Sequence, residues 1–296
     1  MTILRSWRAL FVKEFIEHRM SFQWVPLGIL ALLTLAGLSA LTLHRVELVG
    51  DLPFLDAGKI FELGYLVLLA LWLAYVSVSV FFYFGDAFSA DRRNNAMLFW
   101  KSMPVSDLRI LAAKALSGLA MFPLIVLATG LVSGLVFFLL LTVAGLLVPS
   151  LGVVPPLAAL GSFGQISLYA LVYFACALGW YAPFFAWVGA LSTVVGRWSL
   201  PLAFVIPGML AVLENVMFFG NGPRGGYVWN YIAYRWNFAL KEADYTVMAL
   251  DPRPFSAQFH LGRLFSQIDW LQMGIGLVFA AAVIWLASEY RRRRTA

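Results

Sequence analysis

The chain has 296 residues and is short of the residue types that soluble proteins need most. Charged residues make up 12% of it, about half the usual share of a soluble domain, whereas 62% of its residues are hydrophobic. The mean hydropathy is +0.84. Too few polar side chains remain to cover a surface that faces water. The composition therefore excludes a soluble globule, and it also excludes a disordered chain, which would be poor in apolar and aromatic residues.

Cysteine and histidine are scarce as well. One cysteine, Cys176, excludes an internal disulfide framework, and three scattered histidines offer no metal-binding pattern, so we expect no metal site. The sequence contains no G-x-x-x-x-G-K-[ST], H-E-x-x-H or G-x-S-x-G motif. An intramembrane hydrolase buries several ionisable groups, whereas the long apolar stretches of this chain hold essentially one, Glu214. We therefore expect no catalytic residue and no enzyme activity of the chain itself.

Long apolar runs are what the sequence has in abundance. About 20 apolar residues cross the roughly 30 Å core of a bilayer as a helix. Residues 115–196 carry no charge at all, and as one helix they would be about 120 Å long. The prolines and glycines within residues 149–164 therefore predict a break. The sequence predicts one all-α transmembrane domain over residues 1–296, whose six spans are 24–43, 63–84, 115–148, 165–195, 199–219 and 270–288.

Four of the segments outside these spans have a predicted character of their own. Residues 1–22 place Leu4, Trp7, Leu10, Phe11 and Phe15 at helical spacing, which predicts an amphipathic helix in the membrane interface; an ordinary basic tail is the alternative. The other three are a cytoplasmic loop at 85–109, an external or re-entrant segment at 220–269 and a basic tail at 289–296.

The distribution of lysine and arginine predicts the orientation. The net charge of +6 comes from 21 basic and 15 acidic residues. In a membrane protein such an excess marks cytoplasmic loops, so it does not indicate nucleic-acid binding. Basic residues are concentrated before the first span, between spans two and three, and after span six. Both termini are therefore predicted to be cytoplasmic, with membrane lipid as a partner along the spans.

The loop at 85–109 contains an apolar run, Met97-Leu98-Phe99-Trp100, between charged residues. Exposing such a run to water costs roughly 25 cal/mol per Å² of apolar area. Burial of this run is therefore expected, either against lipid headgroups or against a partner protein. The residues alone leave both possibilities open.

Three features occur together in order: an N-terminal FVKEFIEHR, a span-two exit reading FFYFGDAFSADRRNNAMLFWKSMPVSDLRILAAKAL, and a long external segment before span six. With them the chain resembles, over nearly its full length, the permease subunit of type-2 ATP-binding-cassette (ABC) exporters of the bacterial cytoplasmic (inner) membrane. The segment 91–114 is the most specific match. In that family the N-terminal helix is called the elbow helix, and the loop between spans two and three docks on an ATPase.

The resemblance implies partners and coupling residues. The ATPase would be a separate chain that binds ATP and Mg²⁺, since this chain lacks a phosphate-binding loop and is expected to bind no cofactor. A second permease copy would complete a two-plus-two complex. The residues implied to couple to the ATPase are Asp91, Arg92, Arg93, Met97, Phe99, Trp100, Lys101, Met103 and Pro104.

Polar and aromatic residues recur on one face of span two and near the outer end of span five. Such a stripe is able to line a pathway for an amphipathic cargo, although helix packing explains any single residue of it at least as well. Glu214 is an ionisable residue within a span, which raises a functional hypothesis, and contact with headgroups is the alternative. The candidate pathway residues are Tyr65, Trp72, Tyr75, Ser79, Tyr83, Glu214 and Asn215.

The sequence thus predicts an exporter permease that works by alternating access, with a hydrophobic or amphipathic cargo such as a peptide, a lipid-like molecule or a drug. Two other classes stay open. A secondary transporter would need coupling ions and commonly has inverted repeats or several intramembrane charges. A membrane scaffold or sensor subunit would share the spans but would have no need of a docking loop.

Overall fold

The computed structural model describes residues 3–43, 56–93, 106–219, 226–238, 251 and 253–294. Helices hold 93% of the described residues, and no β-strand occurs among them. Five helical stretches are long and apolar enough to cross a membrane. The prediction of an all-helical membrane protein is therefore confirmed at this level.

The described part of the chain contains ten α-helices. They are α1 (Ile3–Arg19), α2 (Val25–Thr42), α3 (Ala57–Arg93), α4 (Asp107–Leu116), α5 (Phe122–Leu147), α6 (Pro156–Val195), α7 (Ser199–Glu214), α8 (Gly226–Trp236), α9 (Ala257–Gln267) and α10 (Trp270–Arg294). The five candidate spans are Arg5–Thr42, Ala57–Ala90, Asp107–Leu147, Pro156–Phe218 and Trp270–Arg293.

Three of these stretches contain a π-helical turn: Asn215–Phe219 follows α7, and the other two each join two α-helices. The turns Met20–Trp24 and Ser117–Met121 join α1 to α2 and α4 to α5. Each turn stands just before a proline, Pro26 or Pro123, which has no N–H to continue the α-helical ladder. The turns also lie side by side, because Phe22 and Phe122 stack with ring centroids 4.1 Å apart.

The stretch Pro156–Phe218 has 63 residues. At 1.5 Å per residue it would measure about 95 Å, roughly three times the thickness of the bilayer core. It is not straight: Gly196 adopts a φ of 58° and begins a short 3₁₀ turn that separates α6 from α7. Helices α6 and α7 contact each other.

Helix α6 is the centre of the bundle, since it packs against both α3 and α10, while the other face of α3 packs against α5. Helix α3 has 37 residues and is about 55 Å long, longer than a bilayer core requires. Its excess length carries the chain towards residues 94–105. Helix α1 packs against α4, with Leu10 buried beside Ile110 and Ala113.

Candidate functional site

A cavity of about 1240 Å³ lies among α3, α6, α7, α8 and α10. Its walls are predominantly apolar and aromatic, with Phe81 from α3, Trp187 from α6, Phe204 from α7 and Phe279 from α10. Helix α8 forms one wall and contributes Arg235, the only charged residue among the described residues that line the cavity.

Arg235 reaches the bundle interior although it belongs to the segment between α7 and α10. Only 2% of its surface is exposed. Its guanidinium lies 4.3 Å above the ring of Trp180, and its Nη1 donates a hydrogen bond of 3.0 Å to the Gln272 carbonyl. The Trp180 indole in turn donates to the Arg235 carbonyl at 2.8 Å, and the Tyr181 hydroxyl donates to the Trp236 carbonyl at 2.9 Å. These bonds fix the end of α8 against α6.

The charge of Arg235 is incompletely compensated. Its Nε and Nη2 have no hydrogen-bond partner among the described residues, and burial lowers the pKa of the guanidinium. Asp269, an acid that influences it, is exposed and bonds to other groups: it accepts from the Tyr234 hydroxyl at 3.0 Å and from the Gln272 N–H at 3.0 Å. The bond from Gln272 lowers the pKa of Asp269. Arginine remains protonated at neutral pH, so the cavity wall carries a buried positive charge.

A second polar cluster lies at the end of the bundle that holds α1 and α4. Lys114 donates to Glu14 at 2.8 Å, and the two residues are 1% and 3% exposed. The Tyr83 hydroxyl lies 2.9 Å from Glu14 Oε2 and 3.0 Å from the Lys114 carbonyl oxygen. Three helices, α1, α3 and α4, therefore meet at one buried ion pair.

Glu14, Glu17 and His18 bring potential metal ligands within 4.8 Å of one another. The carboxylates are already neutralised, since Lys114 pairs with Glu14 and Lys13 lies 3.0 Å from Glu17. A metal ion would have to compete with two ammonium groups. The arrangement favours an ion-pair network over a metal site.

The opposite end of the bundle has a third cluster, centred on Glu62. Lys59 donates to Glu62 at 3.2 Å, and Ser162 donates to it at 2.5 Å. The Phe255 N–H also donates to Glu62, at 2.9 Å. The cluster thus connects the start of α3 to α6 and to the segment that precedes α9. Its role is structural.

The candidate pathway residues of span two lie between helices and do not line the cavity. Tyr65 shares a hydrogen bond of 2.9 Å with Ser167, Trp72 donates to Ser133 at 3.1 Å, and Tyr75 donates to the Ser21 carbonyl. The other two members of the stripe are Ser79, which is half-buried, and Tyr83, which belongs to the Glu14 cluster. The face of α3 that lines the cavity instead carries Leu66, Leu73, Ser77 and Phe81.

Glu214 and Asn215 lie at the junction between α7 and α8. The Glu214 carboxylate accepts from the Tyr227 and Val228 N–H groups at 2.8 and 2.7 Å. A carboxylate in this position caps the N-terminus of α8 and complements its dipole. Asn215 is fully buried and donates to the Ala211 carbonyl at 2.8 Å. Glu214 therefore attaches the first turn of α8 to the end of α7, whereas the Asn215 bond stays within one helical turn.

Most of the residues implied to couple to an ATPase lie outside the described residues. These are Met97, Phe99, Trp100, Lys101, Met103 and Pro104, all within residues 94–105. Asp91, Arg92 and Arg93 form the last turn of α3. On the other side of the loop, Ser106 caps α4 by accepting from the Arg109 N–H at 3.3 Å.

The chain was compared with known proteins. No protein-family model matches it, and neither a curated protein nor a solved structure matches it.

Gly276 is required for the position of Arg235. A Cβ atom there would lie 1.7 Å from Arg235 Nη2 and 2.9 Å from Pro183 Cγ. We expect Gly276→Ala to lower the free energy of unfolding by about 1–3 kcal/mol through overpacking. The control is Gly274→Ala in the same helix, where nothing lies within 4 Å; it should stabilise by up to about 1 kcal/mol, since alanine is the better helix former. Chemical unfolding in detergent measures both, and equal shifts would contradict the packing described.

Proposed function

We propose that this chain is the permease subunit of an ABC exporter, with six spans, an N-terminal elbow helix and both termini in the cytoplasm of a bacterial cell. The loop between α3 and α4 carries the proposal. Its sequence, D-R-R followed by LFWKSMPVSD, is the most specific part of the resemblance to type-2 permeases. Six spans follow if the stretch Pro156–Phe218 crosses the membrane twice, with its turn at Gly196.

The surroundings of this loop suit a coupling role. The helix that follows the loop, α4, is tied to two other helices: Lys114 pairs with Glu14 of α1, and Asp107 pairs with Arg291 of α10 at 3.0 Å. A displacement of the loop would therefore move α1 and α10 together with α4. In the proposed mechanism ATP binding closes two ATPase subunits, and the docked loops carry that movement into the spans of two permease copies.

The cavity suits the proposed cargo class. It is bordered by α3 and α7, the helices of spans two and five, and its walls are apolar and aromatic. An alternating pathway requires cargo to bind one state better than the other. A cavity of this kind provides such a differential site for an apolar or amphipathic molecule.

A measurement of Mg²⁺-ATP hydrolysis tests whether the ATPase activity belongs to a separate subunit. The chain purified alone is expected to show no ATPase activity, because it has no phosphate-binding loop. Activity should appear when the chain is co-expressed with an ATPase from the adjacent reading frame. Hydrolysis by the homogeneous isolated chain would refute the proposal of a separate ATPase subunit.

Cysteine labelling tests the six-span topology. In a Cys176→Ala background, cysteines placed near residues 162 and 244 should react in intact cells with a thiol reagent that does not cross the membrane. Cysteines near residues 94 and 295 should react only after the cells are opened. Labelling at residue 94 in intact cells would overturn the orientation.

A further inference from the structure

The cavity is larger than the roughly 300–1,000 Å³ of pockets that hold drug-sized ligands. Its long apolar wall extends along α3 from Leu63 to Phe81, about 27 Å at 1.5 Å per residue. A wall of that length matches an extended acyl chain better than a compact molecule. The shape and lining therefore indicate a ligand with a long apolar part.

The wall of the same cavity carries one charge. The side chain of Arg235 is 2% exposed, and two of its three guanidinium nitrogens lack a hydrogen-bond partner among the described residues. No described carboxylate forms an ion pair with it, because Asp269 is engaged with Tyr234 and with the first turn of α10. A buried charge without a counter-ion is costly. The arrangement is stabilised when an anion enters the cavity.

The geometry around the Arg235 guanidinium favours a carboxylate or phosphate group as its ligand. Guanidinium groups bind both through paired hydrogen bonds, and such charge-assisted bonds are about twice as strong as neutral ones. Trp180 covers one face of the guanidinium plane and fixes its orientation, while Nη1 is held by the Gln272 carbonyl. The charged head of a ligand would therefore meet a guanidinium whose position is already set.

We propose that the cavity binds an amphipathic anion, whose acyl chain lies against α3, α6 and α7 and whose carboxylate or phosphate head pairs with Arg235. As an assignment of cargo class, this inference rests on the proposed function. Binding itself does not, because it requires neither an ATPase nor transport. Association of an ATPase and binding of the anion are therefore separate measurements.

Binding is measured with radiolabelled palmitate on the purified full chain in detergent, by scintillation proximity. Dodecyl phosphate should displace palmitate, since it shares an anionic head and an apolar chain. Dodecanol and inorganic phosphate, which each offer one of these features, should displace it poorly. Equal displacement by dodecanol would overturn the role of the charge, and equal displacement by inorganic phosphate would overturn the role of the chain.

Arg235→Gln should weaken palmitate binding about tenfold or more, because a charge-assisted pair is lost. The matched control is Arg263→Gln in α9, where the guanidinium lies 5.6 Å from the Phe259 ring and outside the cavity lining; it should bind palmitate like the wild type. Wild-type affinity of a folded Arg235→Gln variant would overturn the proposal.

A second variant, Gly208→Leu, tests the proposed binding site if Arg235→Gln fails to fold. Gly208 lines the cavity, and a Cβ atom there would meet nothing within 4 Å. Gly208→Leu should therefore fold, fill part of the cavity and weaken palmitate binding while Arg235 stays in place. Unchanged binding in this variant would refute the cavity as the site. If the chain binds palmitate but no ATPase co-purifies with it from cells, the inference stands and only the permease role is refuted.

Discussion

Replacing Glu14 by glutamine is expected to lower the free energy of unfolding by about 3–5 kcal/mol, the usual cost of removing one member of a buried ion pair. Lys114 is 1% exposed, and Glu14 is the partner of its ammonium at 2.8 Å. The substitution also removes the charge of the acceptor that Tyr83 faces at 2.9 Å. Thermal and chemical unfolding in detergent measure the loss.

Two further variants distinguish the effect of breaking the buried Glu14–Lys114 pair from the effect of removing an exposed acidic charge. Glu17→Gln removes an acid three residues away, whose side chain is 42% exposed and pairs with Lys13 at 3.0 Å. This change should cost no more than about 0.5 kcal/mol. Glu14→Gln combined with Lys114→Met should recover most of the loss, because no unpaired charge remains. A loss for Glu14→Gln as small as that for Glu17→Gln would contradict the burial of the pair.

Under the proposed function, replacing Phe99 and Trp100 together by alanine should release the proposed ATPase subunit and abolish the proposed transport. Both belong to the apolar run of the loop at 85–109, for which the proposed function assigns burial against the ATPase instead of lipid headgroups. Aromatic anchors at the centre of an interface are worth about 2 kcal/mol or more each. The double substitution should therefore lower the affinity for the proposed ATPase more than about a hundredfold. Arg92, Arg93 and Lys101 would act as rim charges, and their removal should slow association more than it weakens the complex.

The matched control removes similar apolar area elsewhere. Leu146 and Leu147, at the end of α5, are 70% and 54% exposed. Their double replacement by alanine should leave both the ATPase affinity and transport unchanged. Wild-type co-purification of the ATPase with the Phe99→Ala, Trp100→Ala variant would remove the docking role of the loop and leave contact with lipid as its explanation.

The helical architecture was predictable because it depends on long apolar runs, which the composition makes obvious. The positions of individual polar groups were not, since they depend on which helices meet. Glu14 and Lys114 read as two cytoplasmic charges 100 residues apart, and nothing in the sequence pairs them. Glu214 reads as an intramembrane acid, whereas its carboxylate accepts hydrogen bonds from the first turn of α8.

The residues that line the cavity could not be predicted from the sequence either. The aromatic stripe of span two left a pathway and helix packing both open, and in the structure Tyr65 and Trp72 bond to Ser167 of α6 and Ser133 of α5. The aromatic residues that line the cavity include Tyr173 and Trp187 of α6. In the sequence, Arg235 is one arginine within the predicted external segment at 220–269, and its burial is not evident there. The one available signal was its position, a single arginine within the aromatic run YVWNYIAYRW.

The most direct test of the central claim is site-specific photo-crosslinking from the loop in living cells. With a photoreactive phenylalanine analogue in place of Trp100, the account predicts a covalent adduct with a protein that carries a G-x-x-x-x-G-K-[ST] motif. The same analogue at Leu146 should react with lipid only. Crosslinking from residue 100 to lipid alone, or to a protein without that motif, would contradict the account.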